Sequence, residues 1–384
     1  MKLKDRKNFK NIDNLYIVMG NQCNMQCRHC TQTPIKDISV QKQEIADEVW
    51  QVLDNFINFS LEDKGRMLPH FIVLWGGEPL VYWHTIKEIV SRCTEKIKTV
   101  PDWWQSVRFK INTNGLLLDK EKIDFINEHK MRVILSYDVP NPTAVRGNIS
   151  EEKINLAKTI RDFATLSSFN GINNDYFLAL RCLQKKFPKT RHIFNYNLWH
   201  TSLMDNEIVE YPLKKAQYNF KKLILAARMG NLPASLALSD ILWRLHSMGK
   251  GEFFNEYFVR KCFSGTDLYS IKLNGEVLSC YNSDDVIGNV NQDITMLYRN
   301  SFGSCLTRRN LLCEACEHND ICIGNCSFAL KDSDGNFISC NKYYKPMYTA
   351  IKSELKKITL PITSAEKEWF ETEYEKDTEF VENF

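Results

Sequence analysis

The first half of the sequence predicts an α/β fold in which strands and helices alternate around a parallel sheet or barrel. One observation is a series of short apolar runs, such as residues 71–75, that are typical of strands buried on both faces. The other is a series of segments with helical spacing, such as residues 44–59, that lie between these runs. In folds of this class the chemistry lies on loops that follow the carboxyl ends of the strands.

The predicted elements follow one another in a regular order. Ser150 is the expected N-cap of one helix, because Glu151 and Glu152 place negative charge in its first turn. Alternating side chains at residues 194–199 are strand-like. We therefore predict strands at residues 15–19, 71–75, 107–112, 132–137 and 194–199, and helices at residues 44–59, 83–98, 120–130, from 151 onward and 175–186.

The second half of the chain changes character. Residues 206–258 have helical spacing, with segments at 212–229 and 233–247 that end before glycines. Residues 268–281 predict a hairpin, because Asn274 and Gly275 form a strong turn signal between two β-rich runs. The region up to residue 340 is rich in loops and cysteines. Near the end, Thr363 and Glu366 predict a capped, acidic helix whose aromatic residues pack on the body.

Composition excludes several classes of protein. The chain has 384 residues, of which 43% are hydrophobic and 25% charged, so it is not disordered. Its 50 basic and 47 acidic residues do not favour nucleic acid as a partner. No apolar run is long enough to cross a membrane, and the run behind the basic residues 1–10 is too short for a signal peptide. We therefore expect a cytoplasmic protein.

Cysteine usage indicates metal binding. The 13 cysteines are an odd number in a reducing compartment, where disulfides are a poor explanation. Cys93 and Cys182 lie on apolar helical stripes and are expected in the core. The others are concentrated in two regions of the chain.

The first cysteine cluster places three thiols on one short loop, at Cys23, Cys27 and Cys30. A zinc site or an iron–sulfur cubane requires four ligands, so three thiolates on a cubane would leave one iron open. The spacing alone also fits zinc or incidental thiols. Gly76 and Gly77 follow a predicted buried strand, where a backbone without Cβ atoms can approach a ligand closely.

With this spacing and the four residues Gly76, Gly77, Glu78 and Pro79, the sequence resembles the radical S-adenosylmethionine (SAM) superfamily. The resemblance implies a partial (β/α)6 barrel over about residues 12–205 and a 4Fe–4S cluster whose open iron binds SAM. It implies reductive cleavage of SAM to a 5′-deoxyadenosyl radical that abstracts hydrogen from a substrate. Glu78 is then expected to accept from the SAM ammonium group.

Further SAM contacts are implied at two later strand ends. Asn114 and Ser136 occupy positions that resemble the superfamily's elements near the ribose and methionine, although turn and strand-end chemistry explains both equally well. Arg146 is expected either at the SAM carboxylate or in an ion pair with an acid, and the ion pair is favoured.

The second cluster extends over the last third of the chain. The Cys313–Cys316 spacing alone is typical of zinc. The full pattern resembles the SPASM domain, an auxiliary-cluster domain of peptide-modifying radical SAM enzymes. The cysteines are Cys262, Cys280, Cys313, Cys316, Cys322, Cys326 and Cys340.

The SPASM resemblance implies two auxiliary 4Fe–4S clusters, and so three clusters in total. By its interleaved pattern one cluster has a full set of ligands, which are Cys313, Cys316, Cys322 and Cys340. The other cluster has Cys262, Cys280 and Cys326. Its missing ligand is Asp267, Cys305, water or the substrate.

These resemblances imply a four-part chain. We expect the radical SAM core at residues 1–205, a helical bridge at 206–258, the SPASM domain at 259–345 and C-terminal helices with an acidic tail at 346–384. The implied activity is oxidative modification of a peptide or protein, such as a thioether or carbon–carbon crosslink. The implied partners are that substrate, an electron donor such as flavodoxin or ferredoxin, and a separate leader-peptide-binding protein.

Three alternative functions remain open from the sequence. They are a radical SAM dehydrogenase of a small molecule, an anaerobic sulfatase maturase and a non-catalytic zinc module. Sulfatase-maturing members have an acidic residue directly after the hairpin cysteine, whereas here Tyr281 follows Cys280, which disfavours that activity.

Overall fold

The structure is a computed structural model in which one large sheet organises the chain. It describes residues 2, 12–30, 32, 44–62, 70–98, 107–195, 207, 210–247, 258–259, 268–305, 307–308, 316–318 and 340–384. Within these ranges nine strands form a mixed sheet, and two further short strands pair with each other.

Six parallel strands follow one another in the order of the chain. Their register pairs Tyr16 with Val73, Val73 with Lys110, and Lys110 with Arg132. This series, with helices between its strands, confirms the expected partial (β/α)6 architecture. The strands are β1 (Asn14–Val18), β2 (His70–Trp75), β3 (Val107–Thr113), β4 (Arg132–Ser136), β5 (Asp162–Ser168) and β6 (Arg191–Asn195).

The helices of this half pack on one face of the sheet. Ser150 caps the helix that begins at Glu151 as predicted, because its side chain accepts from the Lys153 amide. Cys93 and Cys182 are buried in the core, as expected. The helices are α1 (Asp47–Glu62), α2 (Trp83–Ile97), α3 (Lys120–Glu128), α4 (Pro142–Val145), α5 (Glu151–Ala157) and α6 (Tyr176–Lys186).

Strand β5 was missed by the sequence analysis, and β6 begins earlier than predicted. In β5 the buried positions Thr165 and Ser167 are polar, so the segment has no apolar pattern to mark it. The Thr165 hydroxyl is satisfied by His192 Nδ1 of β6 at 2.8 Å. The predicted strand at 194–199 is wrong in its bounds at the start, and residues 196–199 lie outside the described residues.

Side chains alternate between the two faces of the parallel strands. Leu15, Ile17, Ile72 and Leu74 belong to the core beneath the helices. Their neighbours therefore point to the opposite face, which we call the inner face; Tyr16, Trp75, Lys110 and Ser136 are among them. The inner face ends at the carboxyl edge of the sheet, where the predicted site residues lie.

The predicted hairpin forms and also extends the parallel sheet. Strand β8 (Leu268–Lys272) pairs antiparallel with β9 (Glu276–Leu278) and parallel with β1. This second pairing was not predicted, because it joins segments about 250 residues apart and no local pattern specifies it. It places the hairpin beside the strand that leads into the first cysteine loop. The other strands are β7 (Phe258–Val259), β10 (Val286–Asn289) and β11 (Thr307–Arg308).

The predicted helices of the second half are present, and a long terminal helix packs on the body. Thr363 and Glu366 form the predicted capping box of this terminal helix, and Phe370 packs against Phe177 of α6. Within the described residues no helix is long and apolar enough to cross a membrane. The helices are α7 (Leu213–Arg228), α8 (Leu232–Ser247), α9 (Ile294–Cys305), α10 (Lys345–Leu355) and α11 (Ser364–Asn383).

Two acids of α11 are buried rather than solvated. Asp377 is 7% exposed and accepts from the ammonium group of Lys222, which also contacts Asp175 at 2.5 Å. Glu373 is 8% exposed and accepts from the Tyr218 hydroxyl. Some of the acidic residues of this helix therefore attach it to the body of the protein rather than face solvent.

Candidate active site

The first cysteine loop lies at the carboxyl edge of the sheet and is tied to the turn after β2. The amide of Gly77 donates to the Gly20 carbonyl at 3.1 Å, and the amide of Glu78 donates to the Gln22 carbonyl at 2.8 Å. A Cβ on Gly77 would lie 2.5 Å from the carbonyl oxygens of Asn21 and Gln22. Glycine is therefore required here by close approach of two backbones.

Glu78 joins β2 to β3 from a buried position. Its side chain accepts from the Leu80 amide at 3.0 Å, the Thr113 hydroxyl at 2.7 Å and the Asn114 amide at 2.8 Å. Burial raises the pKa of this carboxyl group, although these three donors oppose the rise. Both oxygens are thus engaged by the chain itself. Pro79 follows as the first residue of a 3-10 turn, Pro79–Tyr82.

Asn114 reaches the cysteine loop from the end of β3. Its side-chain Nδ2 donates to Asn24 Oδ1 at 2.8 Å and lies 4.0 Å from Cys23 Sγ. Ser136 ends β4 on the inner face and is half-buried. The structure therefore brings Asn114 to the predicted cluster loop, while Ser136 lines the adjacent strand end.

A buried ion pair contacts the second cysteine of the loop. Arg146 Nε donates to Asp138 Oδ2 at 2.9 Å, Arg146 Nη1 lies 3.7 Å from Cys27 Sγ, and Arg146 Nη2 lies 3.3 Å from His29 Nε2. The favoured expectation, that Arg146 pairs with an acid, is confirmed. Asp138 is the second residue after β4 and lies at the carboxyl edge of the sheet. An acid at this position could have been identified from the sequence as the ion-pair partner of Arg146.

Burial sets the protonation states around this ion pair. It raises the pKa of the Cys27 thiol to about 11 and lowers that of His29 to about 4. Burial by itself would raise the pKa of Asp138. The positive charge of Arg146 and the nearby His29 outweigh this and hold the pKa of the carboxyl group below its usual value. Arg146 and Asp138 are thus charged, and His29 is a neutral ring beside them.

The hairpin of the second half reaches the same edge. Cys280 is buried, and the next residue, Tyr281, stacks on Tyr16 with ring centroids 4.3 Å apart and planes at 4°. Tyr281 also meets Trp75 edge-on at 4.6 Å. Trp75 is the last residue of β2 and directly precedes Gly76. This aromatic contact, which the sequence analysis missed, joins the hairpin to the glycine turn.

The remaining predicted metal ligands are only partly described. Cys316 and Cys340 are half-buried, and the side chain of Cys305 is not among those described. The predicted ligands Cys262, Cys313, Cys322 and Cys326, and Asp267, lie outside the described residues. In the described ranges no three Cys, His, Asp or Glu side chains converge on one metal ion.

The first loop fits an iron–sulfur cluster in its chemistry. Its three soft thiols lie within eight residues of the chain. Arg146 beside Cys27 and the Met25 amide, 3.4 Å from Cys23 Sγ, are donors to sulfur. Among the described groups, His29 Nδ1 is a buried nitrogen without a hydrogen-bond partner. A soft metal centre bound by thiolates and surrounded by donors is compatible with this arrangement.

Comparison with known proteins identifies the class. Residues 17–170 match the family model of the radical SAM superfamily. The radical SAM cyclopropyl synthase TigE of Paramaledivibacter caminithermalis is 22% identical over 360 residues, which cover 85% of this chain and 70% of TigE. The chain therefore contains a radical SAM domain and is an enzyme, and this domain implies a 4Fe–4S cluster and SAM as cofactors.

Solved structures place the whole fold more narrowly. Native anSMEcpe with bound AdoMet and Cp18Cys peptide superposes with a TM-score of 0.62 at 17% identity, over 90% of this chain and 99% of that one. Streptococcus suis SuiB bound to its precursor peptide SuiA gives 0.53 at 16% identity, over 87% and 78%. The chain therefore shares the fold of both structures.

Proposed function

We propose that this enzyme modifies a peptide by abstracting hydrogen from it and forming a carbon–carbon bond. In this proposal Cys23, Cys27 and Cys30 hold the SAM-binding cluster. When bound, the cluster and SAM supply a 5′-deoxyadenosyl radical at the carboxyl edge of the sheet. The peptides bound in the structural neighbours and the cyclopropyl synthase activity in the name of TigE support this class of reaction.

One observation carries the proposal furthest. Tyr281 connects Cys280, a proposed auxiliary-cluster ligand, to Trp75 and thereby to the glycine turn beside the first cysteine loop. Asn21 of that loop also donates to Asp284 of the hairpin region at 3.2 Å. Such proximity favours electron transfer between the substrate site and an auxiliary cluster.

The electron balance explains why such a cluster is useful. Joining two carbons that each bear hydrogen removes two hydrogen atoms from the peptide. One is transferred as a hydrogen atom to the 5′-deoxyadenosyl radical, giving 5′-deoxyadenosine. The other leaves as a proton and an electron, and we assign the electron to the auxiliary clusters. SAM cleavage itself consumes one electron from a donor such as flavodoxin or ferredoxin.

We assign the cofactor sites residue by residue. SAM is bound by Gly76, Gly77, Pro79, Asn114 and Ser136, with Glu78 fixing the turn that presents them. The auxiliary clusters are bound by Cys262, Cys280, Cys313, Cys316, Cys322, Cys326 and Cys340. The four-part division of the chain and a separate leader-binding protein belong to the same proposal.

Iron and sulfide counts after anaerobic reconstitution test the cluster assignment. Three cubanes predict about twelve irons per chain. The triple variant Cys23→Ala/Cys27→Ala/Cys30→Ala should lose about four of them, whereas the matched core variant Cys93→Ala/Cys182→Ala should lose none. Stoichiometric zinc in place of iron would contradict the proposal.

Product analysis tests the substrate class. Short peptides encoded by reading frames that neighbour the gene are the candidates to test, and the substrate among them should stimulate 5′-deoxyadenosine formation and lose about two mass units in the same reaction. Thioether formation would give the same mass change, so fragmentation of the product and thiol labelling are needed to locate the new bond. A small-molecule substrate that stimulates turnover while the peptide does not would refute it.

A further inference from the structure

One half-buried arginine links the cysteine loop to the end of β4. Arg146 has a 14% exposed side chain, and its ion-pair partner Asp138 is fully buried. The guanidinium group uses separate nitrogens for Asp138, Cys27 Sγ and His29 Nε2. Its position thus depends on three groups at once, two of which belong to the cysteine loop.

Backbone contacts hold this arginine in register with the loop. The Arg28 amide donates to the Val145 carbonyl at 2.9 Å, and the Arg28 side chain donates to the Ala144 carbonyl at 3.0 Å. Asp138 in turn accepts from the Ser168 amide at 2.7 Å, which fixes it to β5. Cys27 and Arg146 are therefore positioned by one continuous set of contacts between the loop, α4 and β5.

The contact between Arg146 and Cys27 Sγ affects the reduction potential of a cluster bound by that sulfur. A cation that donates to a ligand sulfur favours the reduced, more negative state of an iron–sulfur cluster and raises its reduction potential. Asp138 acts in the opposite direction, since its negative charge lies beside the same guanidinium group. The pair therefore places a hydrogen bond at the sulfur while adding little net charge.

We propose that Arg146 and Asp138 together set the reduction potential of the cluster bound by Cys23, Cys27 and Cys30, with Arg146 as a positioning residue that donates to Cys27 Sγ. This inference rests on the proposed function, because it requires Cys27 to bind the cluster. It assigns to Arg146 a different partner from the SAM carboxylate.

Redox titration followed by electron paramagnetic resonance tests the inference. The relevant cluster is recognised as the one whose spectrum changes when SAM is added. Arg146→Met should lower the ratio of reduced to oxidised cluster about tenfold at the wild-type midpoint, which corresponds to about 59 mV for one electron. Asp138→Asn should shift the midpoint in the opposite direction, because it removes a negative charge and keeps an oxygen that accepts from Arg146.

The opposite midpoint shifts expected for Arg146→Met and Asp138→Asn distinguish an effect on the reduction potential from a merely structural role. Damage to the site would lower iron content in both variants but would not order their midpoints on either side of the wild type. Arg161→Met, at an exposed position, should leave the midpoint unchanged. Arg146→Lys keeps the charge but not the three-way contact, and its midpoint should fall between those of the wild type and Arg146→Met.

Three results would overturn the inference. The first is an unchanged midpoint in Arg146→Met with weakened SAM binding, which would place Arg146 at the SAM carboxylate. The second is a shift of the same sign in Arg146→Met and Asp138→Asn. The third applies if Arg146→Met does not bind iron. In that case, a midpoint potential of Arg146→Lys equal to that of the wild type would overturn the inference. Failure of the wild-type protein itself to bind iron would instead refute the proposed function.

Discussion

Replacing Glu78 with glutamine separates a structural role of this carboxylate from a role in binding SAM. Glu78 is 1% exposed, and its two oxygens accept from the Leu80 amide, the Thr113 hydroxyl and the Asn114 amide. Glutamine has the same shape but offers one acceptor oxygen in place of two. Whichever way the amide is oriented, its nitrogen faces at least one buried donor.

The size of the effect follows from that mismatch. A buried donor left without an acceptor costs about 1–3 kcal/mol, and hydrogen bonds to charged groups are worth about 1.5–3 kcal/mol. We therefore expect Glu78→Gln to lower the free energy of unfolding by about 2 kcal/mol. Glu78→Ala removes all three bonds and should cost about 6 kcal/mol, which is three times the value for one bond.

Urea unfolding of the protein without added SAM is the assay, followed by SAM titration of each folded variant. Glu121→Gln is the matched control, since Glu121 has a 72% exposed side chain and pairs with the exposed Lys87 at 3.4 Å. That variant should stay within about 0.5 kcal/mol of the wild type. Unchanged stability of Glu78→Gln together with lost SAM affinity would refute the reasoning, because it would make Glu78 a ligand for the SAM ammonium group.

Two further variants test the energetics of buried cations. Burial lowers the pKa of Lys110 to about 8 from 10.5, so the unfolded chain binds more protons between these values and stability should rise with pH across this window. Lys110→Met should therefore be more stable at pH 7 by up to about 3 kcal/mol and should lose that rise; a variant less stable than the wild type at pH 7 would contradict the argument. Lys222→Met leaves the carboxylates of Asp175 and Asp377 without their shared cation and should cost about 3–5 kcal/mol in thermal or urea unfolding. Its α11 helix should also be cleaved faster by protease than in Lys367→Met, whose residue is exposed on the same helix, and equal rates would count against anchoring of α11 through Lys222.

Local patterns were sufficient to predict most of the fold. Apolar runs specified β1 and β2, and the capping residues Ser150 and Thr363 marked helix starts that the structure confirms. Strand β5 escaped prediction because its buried positions include Thr165 and Ser167, whose hydroxyl groups are satisfied only by tertiary contacts.

The sequence predicted which residues belong to the candidate site, but not the long-range contacts that join them. The cysteine loop and the glycine turn were specified by motif, since their spacing is a local property of the chain. The stacking of Tyr281 on Tyr16 and the pairing of β8 with β1 depend on a contact across more than 250 residues. Glu78 illustrates the same limit. The motif implied a contact of this carboxylate with SAM, but the three donors within the chain that it also accepts from could not be predicted from local sequence.

The spectrum of the reduced protein with and without SAM tests the central claim most directly. If Cys23, Cys27 and Cys30 leave one iron open, adding SAM to the anaerobically reconstituted, dithionite-reduced enzyme should change one cluster signal and release 5′-deoxyadenosine. Both effects should vanish in Cys27→Ala and persist in Cys182→Ala. A wild-type protein that is fully loaded with iron, yet gives neither a spectral change nor 5′-deoxyadenosine, would contradict the account.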